Sequence, residues 1–276
     1  MKKKLICTIS ILVLAAALCS GCSTAPFKTT DSFASYYAKN KEEVGSDLKG
    51  MASDLAVLSD SEATDPNYQS NDYADLLIND STNEVLESYH CFDRLYPASI
   101  TKVMTALLTL EHGNMDDEIT LKHDINLTEN GAVISTLTKG DTVTVGQVFH
   151  TMLIKSANDC AVILAEYVAG SESKFIDMMN AKAKELGATH THFVNPNGLH
   201  DNNHYTTAYD LYLIFKEAVK YDTFVDTVSS KDYTMTYTTP KKTQINEYMQ
   251  STNYYLLNEF PVPELSLIHI SEPTRH

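Results

Sequence analysis

The chain has 276 residues, of which 43% are hydrophobic, enough for one sizeable folded domain with extensions. Acidic residues outnumber basic ones by 36 to 21, which gives a formal net charge of −15. This balance argues against a nucleic-acid partner, because a protein that binds nucleic acid needs a basic face to neutralise phosphates.

The first 22 residues have the pattern of a secretory signal peptide. A basic start at 1–4 precedes an apolar run at 5–18, and small residues lie directly before Cys22. The apolar run is short for a membrane-spanning helix, which needs about 20 residues. Small residues before a cysteine resemble the lipobox of bacterial lipoproteins, although Cys19 stands where the lipobox has its leucine and Leu18 lies one place earlier. The pattern predicts a lipid on Cys22; ordinary cleavage and an uncleaved anchor are the alternatives.

A polar tether and one folded domain follow the signal peptide. Residues 23–70 are rich in Ser, Asp, Lys and Ala, with a helix predicted near 32–58, and are expected to lift the domain off the membrane. Residues 71–264 form the predicted domain. Within it, Cys91 and Cys160 are expected to be buried thiols rather than a bridge, since one pair without metal-ligand spacing does not make a disulfide scaffold.

The domain opens with a predicted β-hairpin of strands at 73–78 and 84–89. An almost wholly apolar helix is predicted at about 100–110 and belongs in a core. The 3.6-residue periodicity predicts further helices at 145–154, 159–168, 173–186 and 208–221. Beyond Asp226, hydrophobic residues alternate with threonines from Tyr233 to Thr238, which is typical of strands. This order indicates an α/β layered domain with a largely antiparallel sheet.

Ser-x-x-Lys occurs three times, and only context separates the copies. They are Ser46–Lys49, Ser99–Lys102 and Ser171–Lys174. Only Ser99 begins a predicted buried helix, where backbone N–H groups and the positive end of the helix dipole favour developing negative charge. The other two copies lie in polar segments that are typical of a surface.

Lys102 lies one helical turn beyond Ser99, so both side chains share one face of the helix. A lysine in so apolar a setting loses part of its affinity for a proton and could activate the serine hydroxyl as a base. Ser156 and Asn158 lie between two predicted helices. Ser156 could relay a proton between Lys102 and a leaving group, and Asn158 could orient a substrate amide; alternatively, one of them caps the next helix.

Three segments carry a resemblance to a known family: PASITKVMTALLTLE, LIKSANDCAVILAEYVAGS and GATHTHFVNPNGLHDNNHYTTAYDL. Together they resemble the D-alanyl-D-alanine carboxypeptidases, the low-molecular-mass penicillin-binding serine peptidases of family S11. The first is similar to the nucleophile helix of this family, the second to its second motif, and the third to a segment that follows at a comparable distance. The resemblance runs from about 76 to 260. It implies a β-lactamase/transpeptidase-like α/β fold with a helical subdomain.

The resemblance also implies roles. Ser99 would be the nucleophile, Lys102 the general base, and Ser156 with Asn158 the second motif. The substrate would be a peptidoglycan stem peptide ending in D-Ala-D-Ala, and β-lactams would acylate the same serine. No metal or organic cofactor is implied. The protein would lie at the outer face of the cytoplasmic membrane, lipid-anchored, or in the periplasm or cell wall.

The chain departs from the family pattern near its end. The third family motif, Lys-Thr-Gly, is absent. Lys242-Thr243-Gln244 is similar to it but precedes the STNYYLL segment that should come first, and its glutamine would crowd a strand that approaches the ligand. Residues 265–276 resemble the translated end of a transposon adapter, with a divergent natural terminus as the alternative. A truncated domain, inactive for want of an oxyanion-hole donor and a cation for the substrate carboxylate, is therefore expected.

Two other functions stay open at this point. A serine β-lactamase shares Ser-x-x-Lys, but the commonest class has Ser-Asp-Asn and a deacylating glutamate, for which this chain offers no matching segment. A non-catalytic lipoprotein that binds cell-wall peptide would not need Ser99, Lys102 and Ser156 together. A metal site at His190 and His192 lacks a supporting ligand pattern.

Overall fold

The computed structural model describes residues 55, 56, 58, 74–127, 129 and 132–257. The chain divides into two compact units, 1–60 and 61–276, and the described helices and strands belong to the second. The predicted signal peptide with Cys22, most of the tether and the predicted tail at 265–276 lie outside the described residues. Residues 55, 56 and 58, at the end of the helix predicted near 32–58, are not helical.

Short strands flank a run of helices. The elements in chain order are β1 (Asp75–Asn79), β2 (Glu84–Tyr89), a 3₁₀ turn (Ala98–Thr101), α1 (Lys102–His112), β3 (Glu118–Thr120), β4 (Thr142–Thr144), α2 (Val145–Ile154), α3 (Asn158–Ala169), α4 (Glu172–Glu185), α5 (Ala208–Ala218), α6 (Asp222–Val228), β5 (Asp232–Thr238), β6 (Gln244–Gln250) and α7 (Tyr254–Leu257).

The described strands form two antiparallel sheets. β1 pairs only with β2, and a β-bulge lies between Leu77 and Ile78. The second sheet has the order β3-β4-β5-β6, and its longest ladder joins β5 to β6 over seven residue pairs, from Asp232↔Gln250 to Thr238↔Gln244. On β5, Met235 and Tyr237 are buried, as the alternating pattern predicted.

The core consists of helices that pack on one another and on the second sheet. α1 is buried continuously from Lys102 to Thr109, and α3 from Asn158 to Ala165. α1 packs against α2, α3, α4 and α5, while α2 packs against β5 and β6. Side-chain caps fix several helix starts: Thr144 accepts from the Gln147 N–H, and Thr207 from the Asp210 N–H. The two helices that carry the predicted motifs thus form the centre of the domain.

The hairpin and the helices predicted at 145–154, 159–168 and 173–186 are confirmed, with small differences at their ends. The helix predicted at 208–221 ends at Ala218, and α6 follows as a separate helix that the periodicity missed. β3 and β4 were also missed, because three-residue strands are too short to show an alternation. The antiparallel α/β architecture is confirmed, although the described strands fall in two sheets rather than one.

Candidate active site

Ser99 lies in the 3₁₀ turn that leads into α1, and its side chain is exposed. Pro97 is the N-cap residue of this turn. Ala98, between them, has a φ of +48°, which is rare for a residue with a side chain. The backbone therefore makes a strained bend immediately before Ser99, and such strain concentrates at functional sites.

Lys102 is the first residue of α1, and only 2% of it is exposed. Its Nζ donates to Ser99 Oγ at 3.0 Å, to Asn158 Oδ1 at 2.9 Å and to the Asn197 carbonyl oxygen at 2.7 Å. The predicted serine–lysine pair is therefore in contact. The buried amine lies on one side of Ser99, and solvent on the other.

Burial lowers the pKa of Lys102 from 10.5 to about 7, because the charged form loses its hydration. The carboxylate of Asp159 on α3 acts in the opposite direction, as Cys160 on the same helix would if its buried thiol ionised. Asp159 is itself held by the backbone N–H and the hydroxyl of Ser135. The net result is an amine whose neutral form is well populated at neutral pH.

The second motif joins the same cluster. Ser156 Oγ lies 3.0 Å from Ser99 Oγ, and Ser156 has a φ of +61°. Asn158 presents Oδ1 to Lys102, and its Nδ2 donates to the Val133 carbonyl at 3.0 Å. The alternative that Ser156 or Asn158 caps α3 is wrong, since the N-cap residue is Ala157 and its side chain makes no capping hydrogen bond.

A segment from 194 to 207, which we name the platform loop, supports α1 and the turn before it. Leu95 exchanges two backbone hydrogen bonds with Thr206, and Thr105 Oγ1 donates to the Pro196 carbonyl. A Cβ added to Gly198 would lie 1.8 Å from the Ala98 carbonyl oxygen. The loop backbone therefore packs directly against the strained bend, and only glycine fits there.

His204 of the platform loop is neutral and structural. Its Nδ1 accepts from the Val194 N–H, so its Nε2 carries the proton and donates to Thr101 Oγ1 at 2.8 Å. Burial lowers the pKa of His204 to about 4. The side chain in contact with Ser99 is therefore the amine of Lys102, whereas this histidine is bonded to a threonine.

An ion pair fixes the chain just before Ser156. Lys155 donates to Glu247 on β6, and Glu247 also accepts from the backbone N–H and hydroxyl of Thr136. Partial burial raises the pKa of Glu247, but the hydrogen bonds from Lys155 and Thr136 outweigh burial and hold this pKa below its ordinary value. Glu247 thereby ties the loop before β4 to the residue preceding Ser156.

The competing motifs have ordinary structural roles where the structure describes them. Ser171 caps α4 by accepting from the Lys174 N–H. Lys242, Thr243 and Gln244 are exposed in the β5–β6 hairpin, and none of their described hydrogen bonds reaches Ser99. Ser46 lies outside the described residues.

Over 74–127, 129 and 132–257, His, Cys, Asp and Glu side chains form no group of three or more that could hold a metal ion. Among the helices described, none is long and apolar enough to cross a membrane.

The family model of the D-alanyl-D-alanine carboxypeptidases of peptidase family S11 matches residues 59–259. The chain belongs to this family. DacF of Bacillus subtilis, a D-alanyl-D-alanine carboxypeptidase, is 37% identical over 163 residues, which are 57% of this chain and 42% of DacF. DacC of Escherichia coli is 32% identical over 187 residues, 64% of this chain and 46% of DacC. The chain therefore spans less than half the length of these two S11 relatives.

Solved structures confirm the penicillin-binding transpeptidase fold. A serine-to-alanine mutant of the Streptomyces K15 DD-transpeptidase superposes with a TM-score of 0.66 at 26% identity, covering 70% of this chain and 78% of that one. Membership in S11 also identifies the chain as a member of a serine-type peptidase family, as the sequence motifs predicted.

Sequence reasoning missed three contributors to this S11 site. The carbonyl of Asn197 accepts a hydrogen bond from Lys102. Gly198, which has no side chain, leaves room for the Ala98 carbonyl. Glu247 forms an ion pair with Lys155. The segment holding Asn197 and Gly198 was recognised as family-like, but without a role. A glycine following two asparagines in Asn-Pro-Asn-Gly was the available signal, since that composition indicates a tight turn.

The close approach of the platform loop predicts a large difference between two glycine substitutions. Gly198 and Gly170 both have positive φ, +87° and +77°, but an added Cβ at Gly170 meets nothing within 4 Å. Gly170→Ala should cost about 1 kcal/mol of unfolding free energy from backbone strain. Gly198→Ala should cost about 3 kcal/mol or more, because a collision is added. Urea unfolding of both variants measures the difference, and equal losses would contradict the close approach.

Proposed function

We propose that this domain is a serine-type D-alanyl-D-alanine carboxypeptidase that removes the terminal D-alanine from peptidoglycan stem peptides through an acyl-enzyme on Ser99. The observation that carries the proposal is the buried Lys102 amine 3.0 Å from the exposed Ser99 hydroxyl. Membership in S11 supports the substrate class. β-Lactams, as mimics of the substrate, are expected to acylate the same serine.

The contacts of Lys102 explain why its lone pair would face Ser99. A neutral amine has two N–H groups and one lone pair. Asn158 Oδ1 and the Asn197 carbonyl oxygen can only accept hydrogen bonds, so each takes one N–H. Ser99 is the partner that can donate its proton, and the lone pair is left for it. This arrangement makes Lys102 the general base.

Acylation then proceeds with every proton assigned. Ser99 Oγ attacks the carbonyl carbon of the penultimate D-alanine while its proton passes to Lys102. Collapse of the tetrahedral intermediate breaks the C–N bond, and the proton passes from Lys102 through Ser156 to the departing amine. The Ser156 hydroxyl lies 3.0 Å from Ser99 Oγ and therefore beside the bond that breaks, which supports its part as the group that protonates the amine. Water then attacks the ester with Lys102 as the base, releasing the shortened peptide and restoring Ser99.

In this scheme the main role of Asn158 is to contact the proposed base, Lys102. Both ends of its amide are engaged, Oδ1 by Lys102 and Nδ2 by the Val133 carbonyl. Contact with a substrate amide, the role expected from the sequence, would require Nδ2 to leave Val133. Its primary contribution is therefore to orient the Lys102 amine.

Labelling with benzylpenicillin tests the nucleophile. The product of the complete gene is the protein to use, because this chain spans less than half the length of its two S11 relatives. Peptide mapping by mass spectrometry should place the penicilloyl group on Ser99, and Ser99→Ala should abolish labelling. Ser171→Ala, in the copy of Ser-x-x-Lys that caps α4, should be labelled like the unchanged protein.

Other outcomes of this labelling identify the rival functions. Label on another residue, or no label, would overturn the proposed mechanism, and the latter would favour a non-catalytic peptide-binding lipoprotein. Rapid hydrolysis of penicillin without release of D-alanine from a D-Ala-D-Ala peptide would identify a β-lactamase.

We also propose that the protein is exported and held at the membrane by a lipid on Cys22. The support is the basic start, the short apolar run and the small residues before Cys22. Radiolabelled palmitate should be incorporated into the protein in bacterial cells, and Cys22→Ser should prevent it. Equal incorporation in both would contradict lipidation at this cysteine.

A further inference from the structure

One peptide unit of the platform loop is held at both ends. The peptide bond between Asn197 and Gly198 presents its carbonyl oxygen to Lys102 Nζ at 2.7 Å. Its N–H donates to Asn195 Oδ1, also at 2.7 Å. Asn195 and Lys102 therefore form hydrogen bonds with opposite sides of the same planar peptide unit.

The planarity of the peptide bond couples these two contacts. In a trans peptide the N–H and the C=O lie in one plane and point in opposite directions. Rotating this unit to break the bond between the Gly198 N–H and Asn195 would also swing the Asn197 carbonyl away from Lys102. The Asn195 side chain thus sets the direction of an acceptor that it does not touch.

The Asn195 side chain is itself held by the loop. Its Oδ1 also accepts from the Asn197 N–H at 3.3 Å, and its Nδ2 donates to the Leu199 carbonyl at 2.8 Å. Asn197 is buried, and its own Oδ1 accepts from the Leu199 N–H. The amide of Asn195 therefore closes the turn on both sides of the peptide unit that contacts the base.

Two further features of the loop limit the orientation of this peptide unit. Gly198 packs against the Ala98 carbonyl, where an added Cβ would collide. Pro196 precedes the unit and restricts the backbone through its ring, while its carbonyl is taken by Thr105. The peptide unit 197–198 is thus constrained by Pro196, which precedes it, and by the backbone of Ala98, which leads to Ser99.

We propose that Asn195 is a positioning residue for the general base: through the peptide unit 197–198 it orients the Lys102 amine so that the lone pair faces Ser99. This inference rests on the proposed function for its catalytic meaning. The physical coupling between Asn195 and Lys102 depends only on the hydrogen bonds described above. It can therefore be measured in the absence of substrate.

The coupling predicts the direction in which the pKa of Lys102 should change when Asn195 is replaced. The Asn197 carbonyl stabilises the protonated amine, so misdirecting it should make Lys102 less basic. The titratable groups that act directly on Lys102 are Asp159 and Cys160 of α3, and Glu247 and Lys155 face Cys160 from β6 and the end of α2. Each of these groups is unchanged by a substitution at Asn195.

The test is a titration of Lys102 in the 276-residue chain, labelled with ¹³C at lysine Cε. Lys102→Arg assigns the resonance by its disappearance. Asn195→Ala should lower the titration midpoint of Lys102 by about 1 pH unit, the scale of a lost hydrogen bond to a charged group. Asn195→Asp keeps the acceptor and adds a negative charge, so it should move the midpoint upward. The decisive readout is the downward shift in folded Asn195→Ala, because the added charge of Asn195→Asp raises the midpoint by itself.

Asn79 supplies a matched control. Its Oδ1 accepts from the N–H groups of Ser81 and Thr82 and closes the β1–β2 turn in a similar way. Asn79→Ala should leave the Lys102 midpoint unchanged. The proposal is overturned if folded Asn195→Ala titrates like the unchanged protein, if Asn195→Asp shifts the midpoint downward, or if Asn79→Ala shifts it as much as Asn195→Ala.

The titration of Lys102 does not depend on acylation of Ser99, so the two proposals can fail separately. Absence of penicillin on Ser99 would refute the proposed function and would leave the coupling between Asn195 and Lys102 to be decided by the titration.

Discussion

The amine of Lys102 sits in the core, where water cannot solvate it, and two oxygens that only accept hydrogen bonds fix its direction. Burial lowers its pKa from 10.5 to about 7, which would suit the proposed base near neutral pH but also costs stability. The unfolded chain binds this proton more readily, so the cost grows as pH falls from 10.5 towards 7 and is complete below 7. The close packing of α1 with α3 and α5 has to offset that cost.

Backbone strain on both sides of the reacting hydroxyl is a second cost of this arrangement. Ala98 and Ser156 both have left-handed backbone conformations, which cost on the order of 1–3 kcal/mol each. The platform loop holds the first by packing Gly198 against it. The pair of Lys155 and Glu247 anchors the chain before the second. Each strained residue thus has a neighbouring contact that prevents its relaxation, and the two hydroxyls stay 3.0 Å apart.

The sequence predicted the parts of this site that depend on local spacing. Ser99 and Lys102 are one helical turn apart, so their contact followed once the buried helix was recognised. Glu247 could not be paired with Lys155 in advance, because 92 residues separate them and the packing of α2 on the sheet brings them together. The contact between Lys102 and the Asn197 carbonyl could not be predicted either, because every residue has a backbone carbonyl and the sequence does not show which one is used. Short strands such as β3 were missed for a different reason: three residues are too few to show an alternation, and pairing with β4 stabilises them.

The central claim is that a neutral Lys102 removes the proton from Ser99, and the pH dependence of acylation tests it most directly. The second-order rate of benzylpenicillin acylation, measured between about pH 5 and 9 on the product of the complete gene, should rise with pH through a single midpoint near the Lys102 pKa of about 7. Lys102→Arg should remove both the rise and most of the rate, because a guanidinium stays protonated. A rate that does not change across this pH range, or a rise that survives in Lys102→Arg, would contradict the account.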